Sequence, residues 1–263
     1  MTYLNFTPRC CQAHDTLRSV DPTADICNVL EFLRDELKIQ TYVHVDAAFG
    51  GFVLPFLEPD LEFGFQNKLV DSMVVDAHKT GFVPYSAGVF MCRKGWLRYT
   101  TIEAKYIPGH STTVCGSRSG AIAAACWALT ELRGREEFRE KLQECMTNLG
   151  YLQKRLLQLN NDGQEHVKLY PARMNIQAVW VDDEIMSIMI PKNPKDISDQ
   201  YLCSRFCVPS DIFPRDLTNP DCFDGLKADK ITIFRFVVMP HLSKQKIDQF
   251  MDELMAHMIQ HIP

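Results

Sequence analysis

No glycine occurs before Asp46 in this 263-residue chain, no two cysteines stand in a CxxC pair, and no block of Lys or Arg is present. No apolar run approaches the roughly 20 residues that a membrane-spanning helix needs. Each absence excludes something. Cys10 and Cys11 are vicinal, Cys203 and Cys207 are four apart, and the other cysteines stand singly among apolar residues. That spacing argues against a zinc ribbon or a disulfide framework, so reduced, buried thiols and no metal are expected. A net charge of −5 without a basic cluster makes nucleic acid and anionic membrane poor partners. Met1 to Cys11 lacks the basic-then-apolar pattern of a signal peptide, which points to the cytosol. What is present, 46% hydrophobic and 23% charged residues, belongs to an ordinary globular chain able to bury a sizeable core in one large domain or two modest ones.

The most informative stretch runs from Tyr42 to Arg93. It contains Tyr42-Val43-His44-Val45-Asp46-Ala47-Ala48-Phe49-Gly50-Gly51 and, later, Ser72-Met73-Val74-Val75-Asp76-Ala77-His78-Lys79-Thr80-Gly81. Each half reads as a β-branched strand running into small residues, the way a parallel α/β sheet delivers polar groups to the carboxyl ends of its strands. Asp46 and Lys79 are 33 positions apart, enough for one strand-crossover-strand unit, so neighbouring strand ends can offer both to one ligand. An amine and a carboxylate so placed suit pyridoxal phosphate, whose chemistry needs a lysine for the Schiff base and an acid facing the pyridine nitrogen. The lysine must be neutral to attack an aldehyde, which calls for a partly desolvated site. The alternative is a turn-capping aspartate and a solvated loop lysine; two such groups, each at a strand end beside His and Gly, weigh against it.

His44-Val45-Asp46-Ala47-Ala48-Phe49-Gly50-Gly51-Phe52, Asp76-Ala77-His78-Lys79-Thr80-Gly81 and Pro84-Tyr85-Ser86-Ala87-Gly88-Val89 together resemble the core of the group II pyridoxal-phosphate-dependent amino-acid decarboxylases of fold type I. The likeness is greatest to the archaeal tyrosine/aspartate decarboxylase branch; glutamate decarboxylases and sphingosine-phosphate lyase are more distant. The resemblance implies that Lys79 is the Schiff-base lysine, Asp46 the partner of the pyridine nitrogen, Ala48 the small residue against one ring face, and His78 a neighbour of the cofactor phosphate. It also implies an α/β fold: the carboxyl-terminal part of a fold type I large domain, a mostly parallel sheet with flanking helices, followed by a small α+β domain.

Family members carry well over a hundred residues ahead of this core, including a Gly/Ser-rich helix start for the cofactor phosphate. Only 45 residues precede Asp46 here, so the chain is expected to match the carboxyl-terminal portion of the family, as a fragment or truncated paralogue. An exposed sheet edge and uncovered apolar surface would follow, favouring aggregation.

Along the chain, Asp21-Pro22-Thr23-Ala24-Asp25 reads as an N-cap, a proline at the first helical position and an acidic first turn. Ile26, Val29, Leu30, Leu33 and Leu37 follow at helical spacing to about Lys38. After a strand from Ala87 to Cys92 comes the loop Tyr106-Ile107-Pro108-Gly109-His110-Ser111-Thr112-Thr113, then Gly116-Ser117-Arg118-Ser119-Gly120 and a helix from Ala121 to Leu132. By resemblance, Ser117 reaches the cofactor phosphate of a partner subunit, implying a homodimer. Tyr106 and His110 are candidates to return a proton to the substrate carbon, with packing roles as the alternative. A second helix begins at Gly134 and carries Phe138, Leu142, Cys145, Met146, Leu149, Leu152, Leu156 and Leu159 on its apolar face. Asn160-Asn161-Asp162-Gly163 ends it, giving domains 1–162 and 163–263. The second is expected to hold strands at 176–181 and 231–238, a helix at 197–206, a long loop from Pro209 to Asp229 and a closing helix at 243–259.

Arg235 lies in the apolar run Ile233-Phe234-Arg235-Phe236-Val237-Val238, where an unpartnered charge is costly. Two hydrogen bonds to a carboxylate would satisfy it. The family has a similar arginine at the substrate carboxylate, and an internal ion pair is the alternative. The implied activity is decarboxylation of an L-amino acid of the tyrosine, aspartate or glutamate class. A carbon-carbon lyase or aminotransferase reaction, or a non-catalytic structural or regulatory chain, are the rivals.

Overall fold

The computed structural model describes residues 20–103, 110–111, 118–160, 163–189, 204–209 and 230–261. These form two compact units, one over Asp21–Arg139 and the other over Glu140–Pro263.

The first unit opens with helix α1 (Thr23–Leu37), which Lys38 ends in the left-handed conformation. Pro22 takes the N-cap position itself, with no side-chain cap, so the helix starts one residue later than the sequence suggested. Cys27 and Leu30 of α1 are buried and pack with Val43 and Val70. Val29 and Leu37, expected on the same apolar stripe, are 59% exposed.

Strands β1 (Val43–Asp46) and β2 (Val70–Asp76) are parallel neighbours, joined by a crossover that holds a 3-10 turn and the short helix α2 (Leu54–Leu57). Strand β3 (Gly88–Cys92) pairs antiparallel with β2, so the sheet order is β1-β2-β3 and only one of its two ladders is parallel. The connection from Asp76 to Gly88 is too short for a helical crossover, which forces the reversal. Arg93 fastens the entry to β2: its Nε donates to Val70 O (2.7 Å) and its Nη2 to Asn67 O (2.8 Å).

Two-residue strands β4 (Ile102–Glu103) and β5 (His110–Ser111) pair antiparallel, which places the His110 backbone in a ladder where the sequence read only loop. Helix α3 spans Ala121–Leu157 with non-helical angles at Gly134 (φ 63°, ψ 179°), so it is two helices meeting at a glycine, as the sequence indicated. In its first half Ile122, Ala125, Cys126 and Leu129 pack against buried Ala77, Val83 and Ala87.

In the second unit the four-stranded sheet runs β6-β7-β9-β8, with every ladder antiparallel. Its strands are β6 (Val167–Leu169), β7 (Ile176–Val181), β8 (Ser204–Pro209) and β9 (Lys230–Val237). Helices α4 (Asp183–Met189) and α5 (Lys244–His261) complete it. The core gathers Leu149, Leu152 and Leu156 with Val179, Phe234, Ile247, Phe250, Met251 and Leu254. Every inward position expected on α5 is buried. The expected helix at 197–206 is corrected where it is described: Ser204–Phe206 are strand, paired with Arg235–Ile233. Pairing along β9 overrides a helical spacing that rested on few apolar residues. Residues 197–203 and most of the Pro209 to Asp229 loop lie outside the described residues.

Cys27 and Cys145 are buried free thiols, as expected, whereas Cys207 is free and exposed.

Candidate active site

The parallel β1/β2 pair delivers the candidate groups. Pairing continues past the end of β1: Ala47 N–H donates to Val74 O (2.9 Å) and Asp76 N–H donates to Ala48 O (3.0 Å). Asp46 and Ala48 are therefore held beside the last residues of β2 by backbone bonds. The Asp46 carboxylate is exposed, and its Oδ1 accepts from Ala48 N–H (3.0 Å). Small side chains matter along this edge. A Cβ at Gly51 would stand 2.6 Å from Val75 Cγ1, so only glycine lets the chain after β1 cross β2 this closely.

After β2 the chain turns at once, with Lys79 N–H on Asp76 O (3.0 Å). Thr80 is fully buried and its hydroxyl donates to Phe49 O (2.8 Å), tying the Lys79 turn to the segment after β1. His78 is clasped by Ala87. The backbone N–H of His78 donates to Ala87 O (3.2 Å), and the ring Nδ1 of His78 lies 3.0 Å from Ala87 O and 3.1 Å from Ala87 N, so either ring tautomer finds a partner on Ala87. Tyr85 closes edge-on over this ring, with centroids 4.7 Å apart.

Lys79 Nζ lies 3.1 Å from Asp76 Oδ2, and His78 Nε2 lies 3.9 Å from the same oxygen. The Lys79 side chain is 39% exposed, more open than the desolvated lysine the sequence reading called for. On β1, two residues before Asp46, burial holds His44 below the ordinary imidazole range, opposed by the nearby Asp46 charge. His44 Nδ1 is 2.7 Å from Ser72 Oγ, and the ring stacks on Phe90.

The structure thus brings Asp46, Ala48, His78 and Lys79 to the carboxyl ends of two adjacent strands. Tyr106 and Ser117 lie outside the described residues; of His110 only the backbone is described. Arg235 belongs to the second unit, on β9 opposite Ala178 and Ser204. Its guanidinium sits 4.9 Å from the Phe206 ring centre, and its buried Nε has no hydrogen-bond partner among the described residues. The sequence reading missed Asp76 and Thr80. Asp76 three positions before Lys79 was a readable signal, because one tight turn suffices to bring such a pair together.

The donor set fits pyridoxal phosphate chemically: an amine, a carboxylate, an imidazole and a small residue share one sheet end. No helix among the described residues is long and apolar enough to cross a membrane. Residues 9–179 match the pyridoxal-dependent decarboxylase conserved domain. The chain is 32% identical over 239 residues to a probable L-tyrosine/L-aspartate decarboxylase of Methanococcus aeolicus, covering 87% of this chain and 53% of that protein. It is 30% identical over 237 residues to the L-tyrosine/L-aspartate decarboxylase of Methanocaldococcus jannaschii, covering 87% and 52%. Among solved structures, glutamate decarboxylase of Lactobacillus brevis superposes with a TM-score of 0.70 at 22% identity, covering 94% of this chain and 54% of that one. The sphingosine-1-phosphate lyase of Burkholderia pseudomallei gives 0.63 at 20%, covering 94% and 50%. The chain spans about half the length of the curated relatives it matches. With that domain match over most of its length and the fold of these enzymes, the chain belongs to the pyridoxal-dependent decarboxylase family.

Proposed function

We propose that this chain carries the lysine-bearing half of an amino-acid decarboxylase site that uses pyridoxal 5′-phosphate. The observation that carries the reading is the placement of Asp46, Ala48, His78 and Lys79 at the ends of adjacent parallel strands. Once bound, the cofactor supplies an electron sink for the pair released when a substrate loses its carboxylate. Lys79 Nζ would hold the cofactor covalently, Asp46 would face the ring nitrogen and keep it protonated, Ala48 would leave room for the ring, and His78 would neighbour the phosphate. Arg235 would bind the substrate carboxylate; the lack of a hydrogen-bond partner at its buried Nε among the described residues supports that role, since leaving such a group unpaired is costly. Tyr106 or His110 returns the proton to the substrate carbon, and Ser117 serves the phosphate site of the second subunit of a homodimer. The relatives named for tyrosine and aspartate support an L-amino acid as substrate.

A non-catalytic chain that keeps the fold is the second reading. The exposure of Lys79 and its engagement by Asp76 favour it. Visible absorbance of the purified chain with pyridoxal phosphate, then borohydride reduction and peptide mass mapping, separates the two. A reduced adduct confined to Lys79 and lost in Lys79→Ala, with carbon dioxide released from tyrosine, aspartate or glutamate, supports the decarboxylase. Labelling scattered over surface lysines sinks it.

A further inference from the structure

Asp76 is the residue at the sheet end to which the family reading gave no role, and its surroundings are specific. It is the last residue of β2, and its side chain is 19% exposed. Its Oδ2 stands 3.1 Å from Lys79 Nζ and 3.9 Å from His78 Nε2. Its Oδ1 faces Gly88 across the β2/β3 ladder, where a Cβ would come within 3.0 Å of that oxygen. Glycine at that position leaves the carboxylate its room. Lys79 is the only ammonium within ion-pair distance of Asp76 among the described residues.

We propose that Asp76 is a positioning residue that parks Lys79 in the cofactor-free chain, so that attachment of pyridoxal phosphate requires this ion pair to be broken first. The proposal rests on the reading of Lys79 as the attachment residue. The ion pair exists only for the ammonium form, while the nucleophile is the neutral amine. To react, Nζ must leave Asp76 and give one proton to water. Its lone pair then joins the aldehyde carbon, and one water leaves as the carbon-nitrogen double bond forms; no electrons are gained or lost overall.

The test uses the full chain at one pH. Competitive acetylation with trace acetic anhydride, read by peptide mass, reports the availability of Nζ without any cofactor. Absorbance followed by borohydride trapping reports the rate of attachment. Asp76→Asn keeps the shape and removes the charge, and a partly exposed pair of this kind is worth about a threefold change. Lys79 of Asp76→Asn should therefore acetylate about threefold faster than wild type, and cofactor attachment at Lys79 should quicken by a similar factor. Asp76→Ala, checked for native circular dichroism, should show the same direction. Equal or slower acetylation of Lys79 in both variants overturns the parking role while leaving Lys79 as the attachment site. Wild-type label anywhere but Lys79 overturns the attachment reading, and the proposal with it.

Discussion

Truncating Phe138 is expected to loosen the first unit from beneath its candidate site. Phe138 is 7% exposed and stands among three rings: Phe52 at 6.1 Å, Phe56 at 5.8 Å and Phe82 at 5.3 Å between centroids. Two of those partners lie in the β1–β2 crossover, and Phe82 is the third residue after Lys79, held at φ 58°. Phe138→Ala removes a buried ring, a change that costs about 3–5 kcal/mol, and aromatic pairs add about 0.5–1.5 kcal/mol each beyond their area. Three such pairs place the expected loss toward the top of that range. Phe138→Leu keeps most of the volume and should cost about 1.5 kcal/mol. Urea unfolding followed by tryptophan fluorescence in a Trp180→Phe background reads the first unit, because Trp96 and Trp127 both lie within it. A loss under about 1 kcal/mol for Phe138→Ala would refute the claim that this ring cluster supports the crossover.

Two further outcomes follow from local geometry. A Cβ on Gly81 would meet Ala77 O at 2.7 Å and Ala77 Cα at 2.8 Å, both backbone, so Gly81→Ala should cost about 1–3 kcal/mol and abolish Lys79-specific trapping; Gly120→Ala, with open space around it, is the matched control in thermal melts. Burial, aided by the Glu144 charge, pushes the fully buried Cys145 thiol up to about 11 from 9.0. Because the unfolded chain loses this proton first, the contribution is complete below pH 9 and declines as pH rises from 9 to 11, by about 3 kcal/mol in total. Cys145→Ala should flatten that part of the stability-pH curve relative to wild type, and parallel curves would contradict the assignment.

The parts of the fold that sequence reading recovered are those where one local pattern decided the outcome. Strand β7 matched residue for residue, and α5 put Ile247, Phe250, Met251, Leu254 and Met258 inward, because their spacing leaves one way to bury them. The Lys79 turn was legible because β-branched residues run into Ala and Gly. Other features depend on partners distant in sequence. Ser204–Pro209 became a strand through pairing with β9, more than 20 positions away, and that partner is invisible to a helical wheel. The exposure of Val29 and Leu37 shows the converse: an apolar stripe predicts a helix but not how much of the stripe finds a neighbour. Asp76 was missed for a chemical reason. It was read as part of a motif that points at the lysine, whereas its carboxylate is itself the lysine's partner.

The backbone at this sheet end is fixed more firmly than the side chain it presents. Ala47, Ala48, Asp76, His78 and Ala87 are linked by backbone hydrogen bonds of 2.9–3.2 Å, and buried Thr80 anchors the turn to Phe49. Such bonds within a buried ladder resist local opening, because breaking one leaves polar groups without water to receive them. Lys79 Nζ, in contrast, is held by one partly exposed ion pair, an interaction of about 1 kcal/mol or less that thermal motion breaks readily. The division suits a group that must exchange partners: its Cα stays placed while its amine moves. It also separates the effects of two substitutions. Thr80→Val, which deletes the anchor to Phe49, should lower both stability and trapping at Lys79, whereas Asp76→Asn should raise the amine's availability with little change in the unfolding midpoint. Loss of stability in Asp76→Asn comparable to that in Thr80→Val would show that the ion pair supports the turn itself, and the separation of a fixed backbone from an exchangeable side chain would fail.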